Sequence, residues 1–341
     1  MDTFNKKTLK TSRGFTYTYY TSPEAAAPNK SLPALLFCHG WPDDARLWSS
    51  IASNLRKLPF RMVIPDLLGY AGTSKPTEPS AYRWDGMTGD LIDILDAESI
   101  DKVIVVGHDW GSALTARFYN YYPARTAGLV LLNVPYVPPS KDKFELDALN
   151  DMTKQEFGYP LYMYWHFFTD PAAPKILKEH VPRLFTALHA KGSSSMKDLF
   201  CEPDAIKKYL LSDSPDMEVR EYANDDKFKQ YFVDRLECDG FEGPQNWYIS
   251  MRENIQHECD SHLPEESAKV GVPVLYIGCT EEAIGRPEGI VQAKQAGLLP
   301  DVEEAPMVQA AHWSPYEKPA EMAAPIANWL ERRFVLRGLQ T

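Results

Sequence analysis

The ten residues Val103-Ile-Val-Val-Gly-His-Asp-Trp-Gly-Ser112 constrain this chain more than any other segment. Four consecutive β-branched residues, with no polar residue between them, predict a strand buried on both faces. The apolar and aromatic stretch Trp110–Tyr122 predicts a helix that Pro123 ends. Only Gly-His-Asp-Trp-Gly lies between them, so the chain must turn sharply from strand to helix. Glycines at both ends of the turn let the backbone crowd together without Cβ clashes. Asp109, at its middle, is lifted to the edge of the sheet over the N-terminus of the helix, whose dipole keeps a carboxylate ionised. A chain containing such a turn is built around a parallel sheet covered by helices.

The rest of the sequence fits that expectation. Further strands are predicted at Ala34–Cys38, Arg61–Ile64, Gly128–Val134, Val272–Gly278 and about Val302–Met307, with helix-length segments between them. Met87–Ala97 places Leu91, Ile94 and Leu95 on one face and Asp90, Asp93 and Asp96 on the other. Lys318–Phe334 reads as a closing amphipathic helix. Alternating β and α elements imply an α/β fold with a mostly parallel, doubly wound sheet. The alternation stops in residues 136–269, a stretch helical in tone and rich in aromatics (Tyr159-Pro-Leu-Tyr-Met-Tyr-Trp-His-Phe-Phe168). We read it as a helical cap inserted into a core made of residues 1–135 and 270–341. The cap covers the C-terminal sheet edge, where ligands of open α/β sheets bind. Lys191-Gly-Ser-Ser-Ser195 is expected as a mobile loop within it.

Composition excludes several function classes. With 36 Lys+Arg against 47 Asp+Glu, the net charge of −11 offers no basic surplus to neutralise phosphates, so nucleic acid is not the expected partner. No run approaches the roughly 18 apolar residues of a membrane span. The N-terminal MDTFNKKTLKTSRG has no apolar core of the kind a signal peptide needs. Five scattered cysteines show no metal spacing and are expected as reduced thiols. A cytoplasmic location follows by default, with no metal or organic cofactor. A homodimer is allowed but not required.

Three motifs carry the chemistry. At Asp109 a carboxylate stands where a serine would attack a carbonyl. A carboxylate is a poor acylating group but can displace at saturated carbon, leaving an alkyl ester; the bland alternative is an Asp that only caps its helix. Leu36-Phe-Cys-His-Gly-Trp-Pro-Asp43 follows an earlier strand. A turn there would aim the Trp41 N–H at the site, to form with the Trp110 N–H a hole for an oxyanion. Pro42, which can be cis, fixes that turn, and His39 is expected as a packing residue. Ala310-Ala-His312 lies between the last strand and the final helix, and His312 alone of eight histidines follows the nucleophile on a loop able to reach it. An acid to orient it is expected just past Val272–Gly278, where Glu281 and Glu282 are adjacent; Glu282 is favoured, but spacing does not separate them.

Together these pieces resemble the epoxide hydrolases of the α/β-hydrolase superfamily, over nearly the whole chain. The resemblance rests on His39-Gly-Trp-Pro42, Asp66-Leu-Leu-Gly-Tyr-Ala-Gly-Thr-Ser74, Gly107-His-Asp-Trp-Gly111 and His312-Trp with Glu317-Lys-Pro319. It implies two cap tyrosines that hydrogen-bond an epoxide oxygen. Tyr159-Pro-Leu-Tyr162 matches a Tyr-Gln-Leu-Tyr segment, with Pro160 in place of Gln, and Asn246-Trp-Tyr248 matches an Asn-Trp-Tyr segment. The roles therefore fall to Tyr159 and Tyr248, with Tyr162 and Tyr164 next in line if the register differs. The family's acid is commonly Asp where this chain has Glu. Arg286-Pro-Glu is similar to fungal members. The implied reaction converts an epoxide and water to a vicinal diol. Tyr162, Trp165, Phe167 and Phe168 suit an apolar or aromatic substrate. A dehalogenase shares the Asp and His. A cyclase or isomerase of specialised metabolism, or a binding protein on the same fold, is the alternative from another class.

Overall fold

A computed structural model describes residues 1–23 and 32–336 of the chain. All six expected strands lie in one sheet: β3 (Ala34–Cys38), β4 (Met62–Pro65), β5 (Val103–His108), β6 (Thr126–Leu132), β7 (Val274–Ile277) and β8 (Val302–Glu304), joined by two more, β1 (Asn5–Lys10) and β2 (Thr16–Thr21). The strand order is β1-β2-β4-β3-β5-β6-β7-β8. From β4 to β8 every neighbouring pair is parallel, whereas β1 with β2 and β2 with β4 are antiparallel. Sequence reasoning missed β1 because Asn-Lys-Lys-Thr-Leu-Lys is almost wholly exposed. A polar strand ending a sheet on lysines shields an open edge from pairing with another chain.

The central strands explain their own lack of polar alternation. Leu36, Cys38, Val105, Leu129 and Leu131 pack into the core on one face; Leu35, Phe37, Val106, Val130 and Leu132 pack into the core on the other. Successive side chains alternate across a strand, so covering both faces with helices demands apolar residues throughout. The helix Trp84–Ala97 begins before its expected start and buries Met87, Leu91, Ile94 and Leu95. Asp90 corrects the reading of that helix: it is buried rather than solvent-facing. Arg13 pairs with its carboxylate at 2.8 Å and the Tyr17 hydroxyl donates to it at 3.0 Å. The closing helix spans Pro319–Leu330 and continues into a π turn at Glu331–Val335.

Between β6 and β7 the chain leaves the sheet for a series of helices running from Leu146–Phe157 to Ile255–Ser261. Gly192 turns at φ 113°, and the helix Ser195–Phe200 starts within the segment expected as a loop. Buried side-chain amides and indoles fasten this insert to the core. The Trp247 indole donates to the Leu68 carbonyl at 2.9 Å, and Gln256 bonds the Trp84 N–H and the Tyr82 carbonyl. The insert thereby closes a space over the C-terminal ends of β3 and β5, where the Asp109 turn emerges.

Candidate active site

Asp109 falls between the end of β5 and the helix Trp110–Tyr121, at φ 55° and ψ −127°. L-residues other than Gly avoid this region, at a cost of about 1–3 kcal/mol. The two flanking glycines make the turn feasible: a Cβ on Gly111 would overlap the Cys38 carbonyl, and one on Gly107 would overlap the Gly111 carbonyl. The turn presents the Asp109 carboxylate to two partners. Oδ1 accepts the Trp41 N–H at 2.8 Å, and Oδ2 lies 3.4 Å from His312 Nε2. A Cβ on Gly40 would collide with that carboxylate, which accounts for the glycine before Trp41. The Trp41–Pro42 peptide is cis. Trp110 occupies the first position of the helix, where backbone N–H groups lack intrahelical acceptors. His39 stands behind this loop and braces it. Its Nε2 accepts the Leu67 N–H and its Nδ1 donates to the Gly40 carbonyl, both at 2.9 Å. Burial lowers its pKa to about 4, so it is neutral at ordinary pH.

The loops after β7 and β8 meet at His312. Its Nδ1 donates to Glu282 Oε2 at 2.7 Å. Glu282 is fully enclosed and heavily bonded: Asn133 Nδ2 donates to Oε2 at 2.7 Å, and the Ile284 and Gly285 N–H groups donate to Oε1 at 2.9 and 3.1 Å. Glu281 turns the other way, onto Arg220 at 2.7 Å. Of the adjacent glutamates, Glu282 is the one brought to the histidine. Burial alone would raise the Glu282 pKa, but His312 and the bonds from Asn133 and the backbone outweigh it, to about 2. Burial alone would lower the His312 pKa, but the Glu282 and Asp109 carboxylates outweigh it and raise it to about 10. The resting arrangement is an imidazolium held between two carboxylates.

A cavity of about 510 Å³ opens over Asp109, walled by apolar side chains that include Trp84, Trp110, Phe144, Trp165, Met251 and Ile284. Tyr162 and Tyr164 also line it, but Tyr159 does not. The Tyr159 hydroxyl donates to the Ala283 carbonyl at 2.9 Å, and Lys197 lies over its ring. In this structure the Tyr159 hydroxyl, expected to face the substrate, is engaged by a core carbonyl outside this cavity. Tyr164 packs beside Tyr248, the two rings meeting edge to face at 5.9 Å. Tyr248 also stands edge-on to Trp110 at 5.2 Å and to Trp165 at 5.3 Å. Burial first and the Asp109 charge next push the Tyr164 pKa well above its ordinary value. Burial, Tyr164 and the Asp109 charge do the same for Tyr248. Tyr162 is raised to about 12 by burial and then by Glu282 ahead of Asp109. These phenols stay protonated, and so remain donors.

Several supporting residues escaped sequence reasoning. Asn133, at φ 64° just after β6, bonds Glu282 through one end of its side chain and accepts from Ser314 Oγ at 2.9 Å through the other. An Asn directly after an apolar strand is a usable signal, because Asn tolerates left-handed backbone. His108 donates to the His312 carbonyl at 2.7 Å. Asp43 accepts from the Trp313 indole and the Tyr316 hydroxyl, each at 3.1 Å. Among the described residues, no group of three or more His, Cys, Asp or Glu side chains is arranged to hold a metal ion, and no helix is long and apolar enough to cross a membrane.

Known proteins share this arrangement of elements. Residues 33–319 match the alpha/beta hydrolase fold family. Bifunctional epoxide hydrolase 2 of Mus musculus is 23% identical over 300 residues, which cover 88% of this chain and 52% of that protein. The chain thus spans about half the length of the mammalian relatives it matches. Epoxide hydrolase srdG of Neurospora crassa is 25% identical over 331 residues, covering 94% of this chain and 93% of that protein. The solved structure of an epoxide hydrolase from an endophytic Streptomyces superposes with a TM-score of 0.80 at 20% identity, covering 97% of this chain and 96% of that one, a likeness of fold.

Proposed function

The chain belongs to the alpha/beta hydrolase fold family, and from the chemistry of its site we propose that it is an epoxide hydrolase. The observation that carries this reading is a carboxylate, not a hydroxyl, at the strained turn, 3.4 Å from a histidine that is itself bonded to Glu282. The relatives named as epoxide hydrolases accord with it.

In this reading an Asp109 oxygen attacks one epoxide carbon and the ring C–O bond breaks. Tyr164 and Tyr248 hydrogen-bond the departing oxygen as charge develops on it, at a point the Trp41 N–H does not reach. Asp109 is left as a neutral ester. That loss of charge removes one of the two carboxylates that keep His312 protonated, so its pKa falls and its proton passes to the ring-opened alkoxide, which becomes a hydroxyl. Neutral His312, oriented by Glu282, then takes a proton from water as the water attacks the ester carbonyl. The Trp41 and Trp110 N–H groups hold the resulting oxyanion; the ester C–O bond then breaks, the proton on the intermediate's new hydroxyl passes to the departing oxygen, the carboxylate re-forms, and a vicinal diol leaves. The apolar cavity walls favour an apolar or aromatic epoxide. The five cysteines are free, which accords with a reducing, intracellular compartment. A dehalogenase would share Asp109 and His312 but release halide, so a halide-release assay with a haloalkane separates it from the present reading.

The test is His312→Gln with an apolar epoxide. The Asp109 peptide should gain the mass of one epoxide and keep it, while the wild type releases diol. A variant that leaves the peptide unmodified, or carries the label elsewhere, would overturn the reading.

A further inference from the structure

Arg220 belongs to the helical insert, immediately before the short turn Glu221–Ala223, yet its guanidinium serves the loops of the core. Nη2 donates to Glu281 Oε2 at 2.7 Å and Nη1 to Glu317 Oε1 at 2.8 Å. The insert's own carbonyls steady it: Nε donates to Ala190 and Nη2 also to Gly192, each at 3.2 Å. The side chain is only 12% exposed, and its partners 24% and 14%.

Both carboxylates lie next to the groups that must be aligned. Glu281 precedes Glu282, and its N–H donates to the Ala310 carbonyl at 3.1 Å, joining the two loops. Glu317 uses its second oxygen to accept the Ala311 N–H at 2.9 Å, one residue before His312. Among the described residues, Arg220 is the one residue of the insert whose hydrogen bonds reach both loops. An ordinary surface ion pair contributes little. This one is shielded and divides a planar fork between two acceptors, a geometry that a lysine ammonium does not reproduce.

We propose that Arg220 is a positioning residue for ester hydrolysis. Through Glu281 and Glu317 it keeps Glu282 and His312 in hydrogen-bonding register, so the base is aligned when the insert is seated. The proposal rests on the Asp109 ester of the preceding reading. Attack by Asp109 depends on the β5 turn, the Trp41 N–H and the hydroxyls of Tyr164 and Tyr248, none of which Arg220 touches. Proton removal from water depends on where His312 sits, and a displacement near 1 Å is enough to slow such a step on the order of 100-fold. The two half-reactions should therefore respond differently.

Rapid-quench mass spectrometry of the Asp109 peptide with a single apolar epoxide separates them. Arg220→Gln should form the ester within about 2-fold of the wild-type rate and hydrolyse it roughly 10- to 100-fold more slowly, so that the ester accumulates and both kcat and KM fall. Arg220→Lys, which keeps the charge and also guards against a Gln variant that fails to fold, should lie between them. Hydrolysis at the wild-type rate in both variants would overturn the proposal. So would a parallel fall in both half-reactions, which marks a merely structural role. If neither the wild type nor His312→Gln ever carries an ester on Asp109, the parent reading fails and takes this one with it.

Discussion

Tyr159 and Tyr164 stand close together in the sequence, yet their phenols point to different partners. Tyr159 spends its hydroxyl on the Ala283 carbonyl, whereas Tyr164 lines the cavity against Tyr248. Tyr164→Phe should therefore slow ester formation on the order of 100-fold, the effect of removing one donor to a developing oxyanion. Tyr159→Phe should change it less than about 5-fold. Stopped-flow single turnovers of the two variants check this, and the reverse order would contradict the assignment. The segment offers tyrosines at 159, 162 and 164. Tyr162 and Tyr164 line the cavity and Tyr159 does not, a difference set by packing with distant residues such as Tyr248 that local letters do not show. The His312 charge leads to a second expectation. In the free enzyme Glu282 and Asp109 hold its pKa up to about 10, so it carries a proton at neutral pH. Esterified Asp109 no longer contributes, and ester hydrolysis should rise with pH through a lower pKa than the free imidazole shows by NMR. Identical values would mean that the Asp109 charge does not govern the base. For stability the sign is fixed by the same elevation. The folded-state benefit of His312 is complete below the ordinary 6.5 and is lost as pH rises through about 10.

At the scale of elements, the turn at Asp109 was legible because strand, two glycines and helix all demand the same geometry. Gly111 has the least latitude, since a Cβ there would meet the Cys38 and His39 carbonyls, both of them backbone atoms. Gly111→Ala should cost about 3 kcal/mol or more, the range of severe overpacking and backbone conflict, and the urea midpoint should fall accordingly. A midpoint within error of the wild type would show that β3 and the turn can separate freely. The first strand was not legible for a physical reason. An exposed lysine-rich edge has no apolar periodicity to read, and its place is set by pairing with Tyr17 and its neighbours in β2. Asp90 misled for the same kind of reason: its partner Arg13 lies near the N-terminus, beyond the reach of any helical pattern.

For the whole molecule, the parallel part of the sheet is built from strands buried on both faces, and the sequence carried that information in its apolar runs. The site draws on more distant pairings. Asp109, His312 and Glu282 each follow a different strand and meet only when β3, β5, β7 and β8 are in register. Motif order along the chain pointed to Asp109 and His312, which the structure brings to 3.4 Å of each other. It did not reveal Asn133, nor which glutamate turns inward, because those depend on loop shape. The central claim is that a carboxylate oxygen of the protein becomes bonded to the substrate. A single turnover with enzyme in excess, run in ¹⁸O-labelled water, tests it most directly. The diol from the first turnover should carry unlabelled oxygen, with the label appearing in Asp109. Label in the first-turnover diol and none in Asp109 would mean that water opens the ring directly, contradicting the account.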